Sequence, residues 1–200
     1  MPDTGAPWNI PYVESTDLVS DWPADSLALA NAIDSGLDAA GGLVAVKHAL
    51  FTGTQTNSTG AGADFAITDL SITHEVADAS NNLVIMGVIG VAGSTDGRGG
   101  VGIGIAVDGT LVNVGTAAGN RTSVSSQTRF RAGGTHNESV TSPALSYVYT
   151  PGAGSKTYTL RGINVDSGTE TVYINRNQLD TDGGQHPRGV SSLVIMEVKV

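Results

Sequence analysis

The feature that most limits how this chain can fold is the regular alternation of β-prone segments with turn-forming residues from Leu43 onward. Segments rich in valine, isoleucine, threonine and tyrosine recur nine times, at Leu43–Thr52, Asp64–Val76, Leu83–Ala92, Val101–Val114, Thr122–Arg131, Ser139–Thr150, Lys156–Asn164, Glu170–Asn177 and Val190–Val198. Glycine-, asparagine- and aspartate-rich turns lie between them, and Asp108-Gly109 is a strong signal for a two-residue hairpin. Short strands at this spacing predict an all-β fold, a jelly-roll-like antiparallel β-sandwich, rather than alternating strands and helices.

The core of such a fold must be aliphatic, because aromatic residues make up only 5% of the chain while glycine occurs 27 times. The chain has no cysteine, which excludes disulfides, a thiolate nucleophile and cysteine-ligated zinc. Its stability must therefore come from burial or from self-association. The apolar run Val190–Val200 predicts that the C-terminus is tied into a sheet, since untethered chain ends fray.

The first 42 residues are predicted to form a separate attachment segment that precedes a β-sandwich domain at 43–200. Three prolines near the N-terminus prevent regular structure there and predict an extended arm. Trp8 and Tyr12 lie on this arm, in a chain otherwise poor in aromatic residues, and such side chains need a surface on which to dock.

One short α-helix is predicted to follow the arm. Ser20 or Asp21 can cap its N-terminus, and Pro23 suits its first turn. Apolar residues then recur at helical spacing, at Leu27, Ala30, Ile33 and Leu37. Gly36 is the predicted residue just beyond the helix end. A single short amphipathic helix cannot stabilise itself, so its apolar stripe must pack on the β-domain, on a symmetry mate or on another protein.

Negative charge is concentrated near the N-terminus. Seven acids and no base precede Lys47, so this part carries −7 of the formal net charge of −9. The pattern fits either a solvated helix face with a polar linker or a segment that meets a basic or polar partner. No basic surface for nucleic acid is evident, and no apolar run is long enough to span a bilayer. The N-terminus lacks the features of a signal peptide, which favours synthesis in a cytoplasm.

No motif in the chain carries a convincing catalytic, cofactor or metal site. Gly97–Gly102 matches G-x-G-x-x-G by letter, but the next residues alternate like a strand instead of opening a helix. The four histidines are scattered, and no nucleophile elbow is present. Asp180–Gly184 has the alternating acids and glycine of a calcium loop without its further ligands, so a turn with side-chain hydrogen bonds is the simpler interpretation, and calcium stays open.

Nine segments in a fixed order carry a resemblance to a known group of proteins. They are Pro11–Val19, Ala28–Ile33, Ile67–Ile72, Asn82–Met86, Ala106–Thr110, Gly115–Arg121, Ser155–Leu160, Thr171–Arg176 and Ser191–Glu197. In this order they resemble tailed-phage virion proteins of the tail-fibre, minor-tail or structural type. The resemblance implies a trimeric jelly-roll body and no catalytic residues. The chain lacks the long repetitive shaft of a full fibre, which favours a compact knob, an adaptor or a capsid decoration.

We therefore expect a non-enzymatic homotrimer on the virion surface, synthesised in the host cytoplasm and bound to other proteins of the capsid or tail. The residues expected to attach it to the particle are Trp8, Tyr12, Trp22, Leu27 and Ile33. The residues expected on outward loops, facing solvent or a host surface glycan, are Asp96, Arg98, Asp180, Asp182, His186 and Arg188. Two alternatives are a free carbohydrate-binding β-sandwich module and, more remotely, a glycan depolymerase.

Overall fold

The computed structural model of the protein describes residues 22–39, 42–94, 100–116, 118–129, 140–166, 168–184 and 186–200. Within these residues lie one helix and twelve strands: α1 (Trp22–Ala39), β1 (Leu43–Phe51), β2 (Gln55–Thr59), β3 (Asp64–Val76), β4 (Asn82–Val88), β5 (Ala92–Ser94), β6 (Gly100–Val107), β7 (Thr110–Leu111), β8 (Ser126–Arg129), β9 (Ala144–Tyr149), β10 (Gly154–Asn164), β11 (Glu170–Ile174) and β12 (Ser191–Val198). The predicted all-β fold with one preceding helix is confirmed. The predicted extended arm lies outside the described residues.

Two antiparallel sheets form the body. The first sheet has the order β1-β12-β4-β9, and the second has the order β3-β10-β6, with β7 and β8 both paired to β6. Strands from the two halves of the chain pair in reverse order: β1 with β12, β3 with β10, β4 with β9 and β6 with β8. This pattern arises when four strands of the first half pair antiparallel with four strands of the second half, as in one long hairpin that folds over into two sheets. It is the topology of a jelly roll. The last strand, β12, lies between β1 and β4, as the apolar C-terminal run predicts.

The core lies between the two sheets and is largely aliphatic. Strand β12 shows why, because its residues alternate between buried and half-buried positions from Ser191 to Val198, as expected for a strand with one face on a core. Its inward residues Leu193 and Ile195 join one buried cluster with Ile103 of β6 and Leu160 of β10. Burial of these side chains holds the two sheets together.

A third, smaller sheet has the order β2-β11-β5. The sequence patterns predict β11 but neither of its partners. Gln55–Thr59 is polar throughout, and Ala92–Ser94 falls on a segment that reads as a turn. Both short strands form because they pair with β11, whose Val172 and Ile174 are buried. This is a case in which tertiary context overrides local propensity.

Asn175 clamps the end of β11 to its surroundings. Its side chain donates hydrogen bonds to the carbonyls of Phe51 (2.7 Å) and Gly53 (2.9 Å) and accepts one from the Ser191 hydroxyl (2.6 Å). The residue is fully buried and has a φ of 61°, a left-handed conformation that asparagine tolerates better than most residues. One side chain therefore joins the ends of β1 and β11 to the start of β12.

Two local predictions have different outcomes. Asp108 and Gly109 both have positive φ, 49° and 86°, and they connect β6 to β7, so the predicted two-residue hairpin is confirmed. The predicted helix end at Gly36 is wrong, since α1 continues to Ala39. A glycine does not always end a helix, because it is tolerated in a helix interior at a modest cost. The next glycines in the chain are Gly41 and Gly42, just after the observed end. Within the described residues no helix is long and apolar enough to cross a membrane.

Candidate functional site

The residues predicted to attach the protein to a particle are described only in part. Trp8 and Tyr12 lie outside the described residues, and Trp22 begins α1. Leu27 and Ile33 are 62% and 43% exposed, so the described chain does not cover the apolar stripe of the helix. A short helix gains most of its stability from packing such a stripe, which indicates that the stripe needs a partner. The identity of that partner stays a prediction.

Four of the predicted outward-loop residues come together after β11, whereas Asp96 and Arg98 lie outside the described residues. Asp180, Asp182, His186 and Arg188 line a cavity of about 290 Å³. Arg188 Nη2 lies 2.7 Å from Asp180 Oδ1. The loop is shaped by hydrogen bonds from the amide of Asp180 to the Asn177 side chain and from the amide of His186 to the carbonyl of Gly183. One of these bonds is made by a side chain, that of Asn177, which lies before the segment Asp180–Gly184, so the predicted turn with side-chain hydrogen bonds from within that segment stays a prediction.

Arg176 completes this group, which we call the Asp180 cluster (Arg176, Asn177, Asp180, His186 and Arg188). Arg176 Nη1 lies 3.4 Å from Asp180 Oδ2, and its Nη2 donates to the Thr56 hydroxyl at 2.6 Å. Its guanidinium also lies 4.5 Å from the centre of the Tyr173 ring, a cation–π contact that fixes its position. Sequence reasoning missed Arg176, although it closes the Thr171–Arg176 segment.

The charges of the Asp180 cluster favour neutral or anionic ligands over a metal ion. Two guanidinium groups occupy the two carboxylate oxygens of Asp180, so a calcium ion would have to displace both. No group of three histidine or carboxylate side chains suited to a metal occurs in the parts of the chain that the structure describes. The cluster instead presents fixed donors and acceptors at the surface, which is what hydrogen bonding to hydroxyl-rich ligands requires.

A second and larger cleft lies beside the second sheet. It has a volume of about 630 Å³, and its polar lining includes Asn120, Arg121, Thr122, Ser123 and Asp166. The segment Gly115–Arg121 carries part of the sequence resemblance, but its residue pattern predicts no site. Arg121 and Thr122 also line a neighbouring open cleft of about 380 Å³. These loops therefore form two open clefts whose linings combine polar and apolar residues.

Glu197 is the centre of a buried polar group. Its carboxylate accepts hydrogen bonds from His74 Nε2 (2.7 Å), the amide of Ala77 (2.9 Å) and Asn81 Nδ2 (2.6 Å). Burial raises the pKa of Glu197, but the three hydrogen bonds together lower it by more than burial raises it. The pKa therefore lies below its ordinary value. Glu197 and His74 are almost fully buried, which makes this pair a link between β12 and β3 and not an exposed acid–base pair.

The hydroxyl of Tyr158 is also buried, and it has no hydrogen-bond partner among the residues that the structure describes. Burial, together with the negative potential of groups that include Asp108 and Glu197, raises the pKa of Tyr158 to about 12. The phenol therefore stays neutral at all physiological pH values, and its ring serves as packing between the sheets.

The outward side of the first sheet is apolar. Three rows of four residues run across β1, β12, β4 and β9 on this side, and together we call them the apolar face. The rows are Leu50, Ser192, Val88 and Ala144; His48, Val194, Met86 and Ser146; and Val46, Met196, Val84 and Val148. Nine of these twelve residues are apolar, and none is Asp, Glu, Lys or Arg. Val46 and Val148 are 53% and 59% exposed. The outward face of a solvated antiparallel sheet is normally polar, so this face is unusual.

The outward side of the second sheet differs in character. Ser71 and Thr73 of β3 face outward and hydrogen-bond to the hydroxyls of Thr159 and Thr157 of β10, each pair at 3.0 Å. Arg161 on the same side pairs with the carboxylate of Asp64 at 2.6 Å. On β3 and β10 this side has the polar surface expected against water, whereas β6 is buried along its whole length. The contrast with β3 and β10 identifies the apolar face as the candidate site of assembly.

No family model matches the chain, and a search of the curated proteins finds no match. Among solved structures the chain is similar to one described as the structure of infectious bursal disease virus, Gx strain. The TM-score is 0.37 at 12% sequence identity, and the match covers 78% of this chain and 40% of that one. The chain thus spans about two fifths of the length of that protein. At this TM-score the similarity carries no argument about function.

Proposed function

We propose that the protein is a non-enzymatic structural protein of a tailed-phage particle, which acts by self-assembly and attachment. The observation that carries the proposal is the apolar face, where nine of twelve outward residues are apolar on one side of a sandwich whose other side is polar. An apolar surface of this kind marks an interaction site. The tailed-phage assignment rests on the sequence resemblance of the nine ordered segments.

The assembly we propose is a homotrimer, as that resemblance implies. Of the net charge of −9, the chain from Lys47 onward carries only −2, so electrostatic repulsion between copies of the β-sandwich is weak. The apolar face has no acidic residue, so copies can approach there without bringing like charges together. Burial of the face then supplies the free energy of association.

The attachment segment we propose is residues 1–42, with Trp8, Tyr12 and Trp22 docking on other proteins of the particle. Aromatic side chains commonly anchor protein interfaces, because each buries a large area at a low cost in conformational entropy. The β-sandwich would then project outward, with the Asp180 cluster toward solvent or the host. Location on the capsid and location on the tail are both compatible with this arrangement.

The virion assignment is tested by asking whether the full chain is present in purified phage particles. We expect a tagged wild-type chain to incorporate and a Trp8→Ala, Tyr12→Ala double variant to be made normally but to be missing from particles. Electron microscopy of particles labelled at the tag then distinguishes capsid from tail by position and copy number. Absence of the wild-type chain from particles would overturn the proposal, and normal incorporation of the double variant would overturn the role of the arm.

A second candidate, a carbohydrate-binding module, is favoured by the Asp180 cluster and its polar cavity. A glycan array tests it with the full chain and an Arg188→Ala variant, because Arg188 is exposed and its loss removes one donor of the cluster. Binding by the wild type that the variant loses would support glycan recognition by this cluster. An array without hits for the wild type would contradict the candidate.

A further inference from the structure

Two apolar surfaces are exposed in the described part of the chain. We propose that they pack against each other in the oligomer, so that α1 of one copy lies on the apolar face of a second copy. The first surface is the stripe of α1 that includes Leu27 and Ile33, and the second is the outward side of the first sheet. The inference rests on the proposed self-assembly and names the surfaces that carry it.

The dimensions of the two surfaces match. Helix α1 has 18 residues and is therefore about 27 Å long at about 1.5 Å per residue. Strand β12 has 8 residues and runs for about 26 Å at about 3.3 Å per residue. A helix laid along this strand therefore stays on the sheet over its whole length.

The apolar face supplies part of the area of a specific contact. Its three rows span about 20 Å along four strands that lie about 4.8 Å apart, which gives a face of roughly 380 Å². Burying it against an equal area of a second copy removes about 760 Å² from water, below the ~1,000 Å² expected of a specific interface. A helix is only about 10–12 Å wide, so the adjoining surface of the second copy must cover the remainder.

The geometry of a single chain favours contact between copies over contact within one. Ile33 is 43% exposed on the helix, and Val148 and Met86 are 59% and 39% exposed on the sheet, so α1 does not cover the sheet of its own chain. A helix of one copy on the sheet of the next is a heterologous contact, which closes into a ring when the rotation is threefold. This arrangement assigns α1, with Leu27 and Ile33, to a neighbouring copy, and it narrows the proposed contact with the particle to the arm that carries Trp8 and Tyr12.

Cysteine cross-linking tests this arrangement directly, because the natural chain has no cysteine. Full chains carrying Ile33→Cys and full chains carrying Met86→Cys, with tags of different size, are mixed, unfolded, refolded together and treated with a short bis-maleimide. We expect a cross-linked species that contains both tags. The matched control replaces Met86→Cys by Ala66→Cys, which is exposed on the outward side of the second sheet, and should give no such species.

A chain that carries both Ile33→Cys and Met86→Cys distinguishes contact within a chain from contact between chains. We expect cross-links between chains, and cross-links confined to single chains would overturn the inference. Ile33→Asp should abolish the oligomer seen by light scattering, whereas Asn31→Asp at an exposed position on the same helix should not. A trimer that is unaffected by Ile33→Asp would overturn the inference and leave the proposed function standing. Absence of the chain from particles would overturn only the virion assignment.

Discussion

Replacement of Glu197 is the most informative test of how the two sheets are held together. Glu197→Leu removes the acceptor of three buried or half-buried donors, on His74, Ala77 and Asn81. Each buried donor that is left without an acceptor costs about 1–3 kcal/mol. We therefore expect this substitution to lower the free energy of unfolding by about 4 kcal/mol. A domain of ordinary stability, about 5–15 kcal/mol, would lose a large part of it.

Glu197→Gln separates the charge from the shape. Glutamine retains one acceptor oxygen but has no charge, so we expect a loss of about 2 kcal/mol near pH 7, within the range for hydrogen bonds to charged groups. The pKa of Glu197 in the folded protein lies below its ordinary value of 4.5. The contribution of the carboxylate is therefore fully present above the unfolded-state pKa and is lost as the pH falls through the folded-state pKa. The difference in free energy of unfolding between the wild type and Glu197→Gln should therefore become smaller as the pH falls below 4.5.

Urea unfolding at one protein concentration, followed near pH 7 and in acid, measures both effects. Glu75→Gln is the matched control, because Glu75 is exposed on the neighbouring strand β3 and its replacement should change the free energy of unfolding by less than about 0.5 kcal/mol. If Glu197→Leu unfolds at the wild-type midpoint, the reasoning is refuted. The role of the charge would be refuted if the free energies of unfolding of the wild type and Glu197→Gln differed by the same amount at neutral and at acid pH.

Three further substitutions test the packing, each by urea unfolding. Asn175→Ala should cost about 3 kcal/mol, because it removes three side-chain hydrogen bonds worth about 1 kcal/mol each; a loss below about 1 kcal/mol would contradict the clamp. Tyr158→Phe should be neutral or stabilising, since its hydroxyl has no hydrogen-bond partner, and a loss above about 2 kcal/mol would reveal a partner that the structure lacks. Gly162→Ala should cost about 1–3 kcal/mol, because the added carbon would clash with the Phe65 ring, whereas Gly60→Ala, with no atom within 4 Å of the added carbon, should cost much less.

The sequence predicts those parts of the fold that depend on local patterns. The apolar strand at Val190–Val200 and the two-residue hairpin at Asp108-Gly109 are signalled by a few neighbouring residues, and both are confirmed. Strands β2 and β5 were missed because their pairing with β11 is nonlocal, and polar or glycine-containing segments give no signal of their own. The strand order of the jelly roll is likewise a consequence of pairing between distant parts of the chain.

The candidate sites were less predictable than the strands. The Asp180 loop could be marked as polar, but the approach of Arg176 and Arg188 to one carboxylate depends on the fold. Glu197 and His74 are 123 residues apart, and a strand pattern does not reveal that they meet. The apolar face needed the register of four strands before its rows could be recognised.

If copies of this chain assemble through the apolar face as a trimer, the mass of the full chain in solution shows it. Light scattering coupled to size-exclusion chromatography should then give a species of about 61 kDa, three times the 20.3 kDa of one chain. A single species of 20.3 kDa across the concentrations of the experiment would contradict this assembly.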